Sequence, residues 1–135
     1  MVLRMMRLAA VVLVLAGAAP AASAAEPRLA AGQWNILELG GKRIRGTATM
    51  NFTRLRWLGI KTPCGPLWGW YSQSGPTLKI HIPGSTRYVV GDGSPCHGLD
   101  YRSLLGRVRS YQADGDGLTF ANEEGKVIAR LARAK

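Results

Sequence analysis

Two cysteines, two histidines and eight acidic side chains are the residues of this 135-residue chain best suited to acid–base catalysis or metal binding. Nucleophilic catalysis requires a nucleophile, a base and an orienting group that converge. His81 alternates with Ile80 and Ile82 along a strand-like run, which turns it toward the opposite face from them, most simply solvent. His97 adjoins Cys96, but a cysteine held in a disulfide has no thiolate to activate. A metal site built on Cys64, Cys96 and His97 has no second ligand pair at a zinc-like spacing. The carboxylates Glu38, Asp92, Asp100, Asp114, Asp116, Glu123 and Glu124 fall nearly all in turns, where such residues are expected for local reasons. Gly91-Asp92-Gly93 lacks both the lysine of a phosphate loop and the repeated acidic ligands of a calcium loop. No catalytic residue, metal site or cofactor is therefore assigned, and a non-enzymatic protein is expected.

The aromatic residues offer a different chemistry. Trp68, Trp70 and Tyr71 cluster in sequence around Gly69, and Trp57 joins them as a candidate surface residue. Such a group is either core of a small β domain or an exposed platform for an apolar or sugar ligand, and both readings stand at this stage.

The amino terminus bears on compartment. Met1 to Arg7 is short and basic, Leu8 to Ala19 is apolar, Pro20 breaks the run, and Ala22-Ser23-Ala24 offers small residues for cleavage. That order reads as a cleavable signal peptide over residues 1–25, cut after Ala24 or Ala25. The apolar run is too short for a comfortable membrane span of roughly 20 residues, and no cysteine follows it for lipid attachment. A periplasmic or secreted protein with no membrane span after cleavage is expected. In such a compartment the two cysteines favour a Cys64–Cys96 disulfide. Closing that loop stabilises the fold by about 3–4 kcal/mol in the chain-entropy model.

Without Arg4 and Arg7, the 18 basic residues fall to 16 against 8 acidic, a balance of +8. A basic exported domain is open to attraction by an anionic surface. The paired arginines Arg43/Arg45, Arg54/Arg56, Arg107/Arg109 and Arg130/Arg133 also have roughly the spacing of a strand's solvent face. No motif joins aromatics and arginines in the manner of a nucleic-acid binder. The partner is left open, an envelope protein or a small ligand, and a monomer is expected.

After a linker (residues 26–32), Gln33–Leu39 is β-prone and ends at Gly40-Gly41. Ala48, Met50 and Phe52 alternate with polar residues, and Leu55 and Trp57 prolong that alternation against Arg54 and Arg56, which predicts a long strand. Pro63 to Pro66 is expected to be irregular, Thr77 to Ile82 a strand, and Gly84 to Pro95 mostly loop. Leu99 to Leu105 has helical spacing. Strands are expected at Arg107–Gln112, Leu118–Phe120 and Lys126–Leu131, with hairpin turns at Asp114–Gly117 and Asn122–Gly125 and a frayed tail at Ala132–Lys135. The predicted architecture is mainly β: a small antiparallel β-barrel or strongly curved sheet with one short helix, a single domain over residues 33–132.

In the last third, Leu104-Leu105, Val108, Tyr111, Asp114 through Phe120, and Gly125-Lys126-Val127-Ile128-Ala129 resemble the closing half of the META domain, the family of the heat-shock protein HslJ. Trp34 fits that family's opening tryptophan, Cys64 with Gly69-Trp70-Tyr71 its middle element, and Thr86 with Cys96 its later one. The resemblance spans Trp34 to Leu131. It implies a small β-rich envelope domain associated with stress or antibiotic tolerance, and it carries no catalytic residues over. The opening segment Glu26–Gly32 with Gln33-Trp34 is also reminiscent of small exported protease inhibitors that present a flexible amino-terminal segment from a barrel.

Overall fold

A computed structural model describes residues 29–30, 32–83, 96 and 98–134. The signal-peptide reading, His97 and the Gly84–Pro95 loop lie outside the described residues.

The chain runs as an antiparallel meander. β1 (Gln33–Leu39) turns at Gly40-Gly41 into the two-residue β2 (Lys42–Arg43), followed by β3 (Thr49–Phe52), β4 (Trp57–Thr62), β5 (Gly65–Ser74) and β6 (Thr77–His81). A single helix among the described residues, α1 (Tyr101–Leu105), precedes β7 (Ser110–Asp114), β8 (Gly117–Ala121) and β9 (Val127–Arg133). β2 and β3 share one edge of β1 while β9 pairs along the other, so the eight strands apart from β2 close into an antiparallel barrel. An eight-stranded barrel has an interior just wide enough to be filled by side chains. Here Trp34, Met50, Phe52, Leu58, Ile60, Leu67, Leu78, Leu118, Phe120 and Leu131 fill it. Phe52 meets the rings of Tyr71 and Phe120 edge-on, at centroid distances of 4.9 and 6.2 Å.

Two irregularities keep the apolar residues inside. The β1–β9 register shifts between Ile36 and Glu38, so Leu37 is an extra residue turned outward while Ile36 and Leu39 both remain buried. The β8–β9 register shifts beside Ala121, and Ile128 and Ala129 are consecutive buried residues. Bulges of this kind add the twist that barrel closure needs. The helix is short but anchored: Asp100 Oδ1 accepts from the Ser103 amide at 3.1 Å, and Tyr101 and Leu105 are buried. Leu104 of α1 packs over Gly40, which places the helix beside the β1–β2 turn.

The fold class is as expected, but three details differ from the sequence reading. The long strand expected through Trp57 is interrupted, because Thr53 to Arg56 form a hairpin turn. The Thr53 amide donates to the Trp57 carbonyl at 3.0 Å, the Trp57 amide donates to Thr53 Oγ1 at 3.1 Å, and Arg56 has a positive φ of 66°. Pro63 to Pro66 is not wholly irregular. Thr62 and Gly65 face each other across a tight Pro63-Cys64 turn, and β5 already includes Pro66. Finally, Ala132 and Arg133 are not frayed but belong to β9, paired with Gly117 and, at Arg133, with Trp34.

Candidate binding surface

β4, β6 and β5 as far as Tyr71 alternate, so their outward positions make one continuous face of the barrel wall. On β4 these positions are Trp57, Gly59 and Lys61, on β5 they are Pro66, Trp68 and Trp70, and on β6 they include Lys79 and His81. The register sets Trp70 between Trp57 on one side and His81 on the other, and sets Trp68 opposite Gly59. Trp57 and Trp70 meet edge to face, with centroids 6.4 Å apart and planes at 87°. His81 lies over Trp70 at 4.4 Å with a 37° tilt. Gly59 leaves the wall bare where the Trp68 ring crosses it, since a Cβ there would sit 3.4 Å from that ring. The three tryptophans are 59%, 70% and 46% exposed. At the adjoining hairpin tip Leu55 is 80% exposed, between Arg54 and Arg56.

The sequence grouped four aromatics as one surface, and the structure divides them. Trp57, Trp68 and Trp70 are outside. Tyr71 is inside the barrel, 7% exposed, packed on Phe52, with its hydroxyl donating to the Thr53 carbonyl at 2.5 Å. Tyr71 therefore drops out of the surface set. The signal lay in the register: Tyr71 shares the parity of Leu67, not that of Trp68 and Trp70. Trp34, the fourth tryptophan, is fully buried, with Nε1 donating to the Leu29 carbonyl at 3.2 Å and the Arg133 guanidinium 4.9 Å from its ring centroid. Leu29, within the segment read as linker, is itself a core residue, which ties down the chain just before β1.

Burial pushes the Tyr71 hydroxyl above its ordinary value near 10, and the Arg56 charge only partly offsets this. Tyr101 is raised by burial as well. Because the folded state holds these protons more tightly than the unfolded chain does, their contribution is complete below pH 10 and is lost as pH rises through the raised folded values. Urea midpoints are therefore expected to fall between pH 9 and pH 11, and by less in Tyr71→Phe. Equal falls in the two proteins would disprove the role of Tyr71.

Cys64 and Cys96 are joined as a disulfide, with Cα atoms 5.0 Å apart. Cys64 sits in the β4–β5 turn, where its amide donates to Thr62 Oγ1 at 3.2 Å and that hydroxyl donates to the Gly65 carbonyl at 2.6 Å. Cys96 is buried, and its carbonyl accepts from the Leu99 amide at 3.1 Å. The bond thus ties the turn of the β4–β5 hairpin to the approach of α1. Among the described residues no three His, Cys, Asp or Glu side chains gather as a metal site, and no helix is long and apolar enough to cross a membrane.

A closed meander barrel, stapled once, with a filled interior and aromatics on its outer wall, defines a class of small β domains. The META domain model matches residues 27–135, and the chain belongs to that family. Among solved structures, a DUF4847 family protein from Bacteroides vulgatus, whose structure was determined at 1.00 Å resolution, is similar in fold. It has a TM-score of 0.59 at 18% identity, over 80% of this chain and 96% of that one. No curated protein matches the chain in sequence.

Proposed function

We propose that this META domain protein is exported to the cell envelope, where it acts without catalysis, by binding, in tolerance of stress or antibiotics. The observation that carries the reading is the outer aromatic face. Three tryptophans on two neighbouring strands stay substantially exposed, although the barrel core is complete without them. A contiguous exposed apolar patch on a small soluble domain marks an interaction site more often than chance. Burying such rings against a partner supplies large contact area at little entropic cost. The disulfide supports an oxidising compartment.

The test is complementation of a strain lacking the gene, challenged with heat or an envelope-active antibiotic. Wild-type protein is expected to restore survival, and the W57A/W68A/W70A variant to leave it at the deletion strain's level despite equal amounts in the periplasmic fraction. Each exposed substitution should change stability by about 0.5 kcal/mol or less, so thermal melts of the purified variant serve as the folding control. Full rescue by the triple variant would refute the binding face. Amino-terminal sequencing of the periplasmic protein should begin at Ala25 or Glu26.

A further inference from the structure

The geometry points to an anionic phospholipid bilayer surface as the occupant of the aromatic face, an inference that rests on the binding role just proposed. Three observations combine. Between Glu38 and Asp92 the sequence contains no Asp or Glu, so β2 through β6 carry cations and no carboxylate. The exposed cations bracket the tryptophans: Lys61 lies two residues beyond Gly59 on β4, Lys79 two residues before His81 on β6, and Arg54 and Arg56 at the hairpin tip. The acidic residues that engage cations elsewhere, Glu38 with Arg130 and Asp116 with Arg133, are on β1 and the β7–β8 turn.

The rings themselves discriminate among anionic partners. A sugar or nucleobase is bound by stacking on an open aromatic face, and successive units need faces presented side by side. Here Trp57 stands at 87° to Trp70, and His81 covers Trp70. Indoles at a bilayer interface have no such requirement. They settle at headgroup depth with their apolar edges inward while neighbouring Lys and Arg side chains meet anionic headgroups. Leu55, carried on the turn between Arg54 and Arg56, supplies an apolar tip at one end of the face. The protein would lie on the membrane with β4–β6 against it and β8–β9 away from it.

Flotation of the mature, oxidised protein with vesicles tests this, using equimolar phosphatidylglycerol and phosphatidylcholine against phosphatidylcholine alone in 0.1 M NaCl. Co-flotation is expected only with the anionic vesicles, with a blue-shifted tryptophan emission and quenching by brominated lipid. Binding should be largely lost in 1 M NaCl, where screening shortens to about 3 Å. Each cation near an anionic surface is worth about fivefold in partitioning, so K61Q/K79Q should bind about 25-fold more weakly. W57A/W68A/W70A should lose the emission shift. Failure to float with anionic vesicles, or flotation unaffected by both variants, would overturn the inference, as would equal flotation with phosphatidylcholine alone. If the triple variant fails in the complementation assay while wild type ignores vesicles, the binding role stands and the lipid assignment falls.

Discussion

Gly69→Ala is expected to be the most damaging single-methyl change in the barrel, costing about 3 kcal/mol, at the upper end of overpacked sites. Gly69 occupies an inward position of β5, flanked by the outward Trp68 and Trp70. The β6 backbone passes so close to it that a Cβ would overlap the His81 carbonyl oxygen and lie 3.2 Å from the Ile82 Cα. Both obstacles are main chain, so no rotamer change relieves them, and β6 would have to move off the wall it closes. Gly59→Ala is the matched control on the neighbouring strand. Its Cβ would meet only the edge of the Trp68 ring at 3.4 Å, and that ring is free to shift outward. Replacing a strand glycine by alanine ordinarily gains about 0.5–1 kcal/mol, so Gly59→Ala should be close to neutral. Denaturant melts of the two variants decide the matter. If Gly69→Ala costs no more than Gly59→Ala, the close approach of β5 and β6 is not a constraint on the fold.

Reduction of Cys64–Cys96, or the C64S/C96S variant, is expected to lower stability by about 3–4 kcal/mol, from the entropy of a loop whose ends are separated by 32 positions. With a slope of about 1.5 kcal/mol/M, the urea midpoint should drop by roughly 2 M. Tryptophan quenching gives an independent readout. In the oxidised folded protein, acrylamide should reach Trp57, Trp68 and Trp70 but not Trp34, which is fully buried. Under urea that the oxidised form survives and the reduced form does not, Trp34 should become quenchable only after reduction. An unchanged midpoint would mean that the β4–β5 turn and the approach to α1 are held by packing alone.

The barrel class was readable because period-2 alternation and turn residues report the strand's two faces directly, as Gln33–Leu39 and Thr77–His81 show. The one long strand was misread because the alternation changes phase at Thr53. Met50 and Phe52 stand at even positions and Leu55 and Trp57 at odd ones, a shift that marks the Thr53–Arg56 hairpin, and the latter two are turned to solvent. The same neglect of phase joined Tyr71 to the tryptophans. Adjacent aromatics look like one cluster until register assigns them to opposite sides of a wall. Pro66 misled for a related reason: proline costs a strand one donor, and a strand tolerates this at its first residues. The exposed face itself was legible only as one of two alternatives, since nothing in a tryptophan's sequence neighbourhood states whether a core has room for it. Trp34 found room, through its bond to Leu29, and the other three did not.

The pairing of β1 with β9 joins nearly the first described residues to the last, with the Ala134 amide donating to the Gln33 carbonyl at 2.8 Å. A sheet so closed cannot be completed before β9 has emerged, because β9 follows the other eight strands in chain order. Until then β1 and β8 each present an unsatisfied edge. If the chain is exported as proposed, this delay is useful: the barrel stays open to translocation and shuts only once β9 has arrived. The same adjacency makes Gln33 and Ala134 natural points for joining. A circular permutant linking them and opened at the Asp114–Gly117 hairpin should keep every strand pairing of the parent.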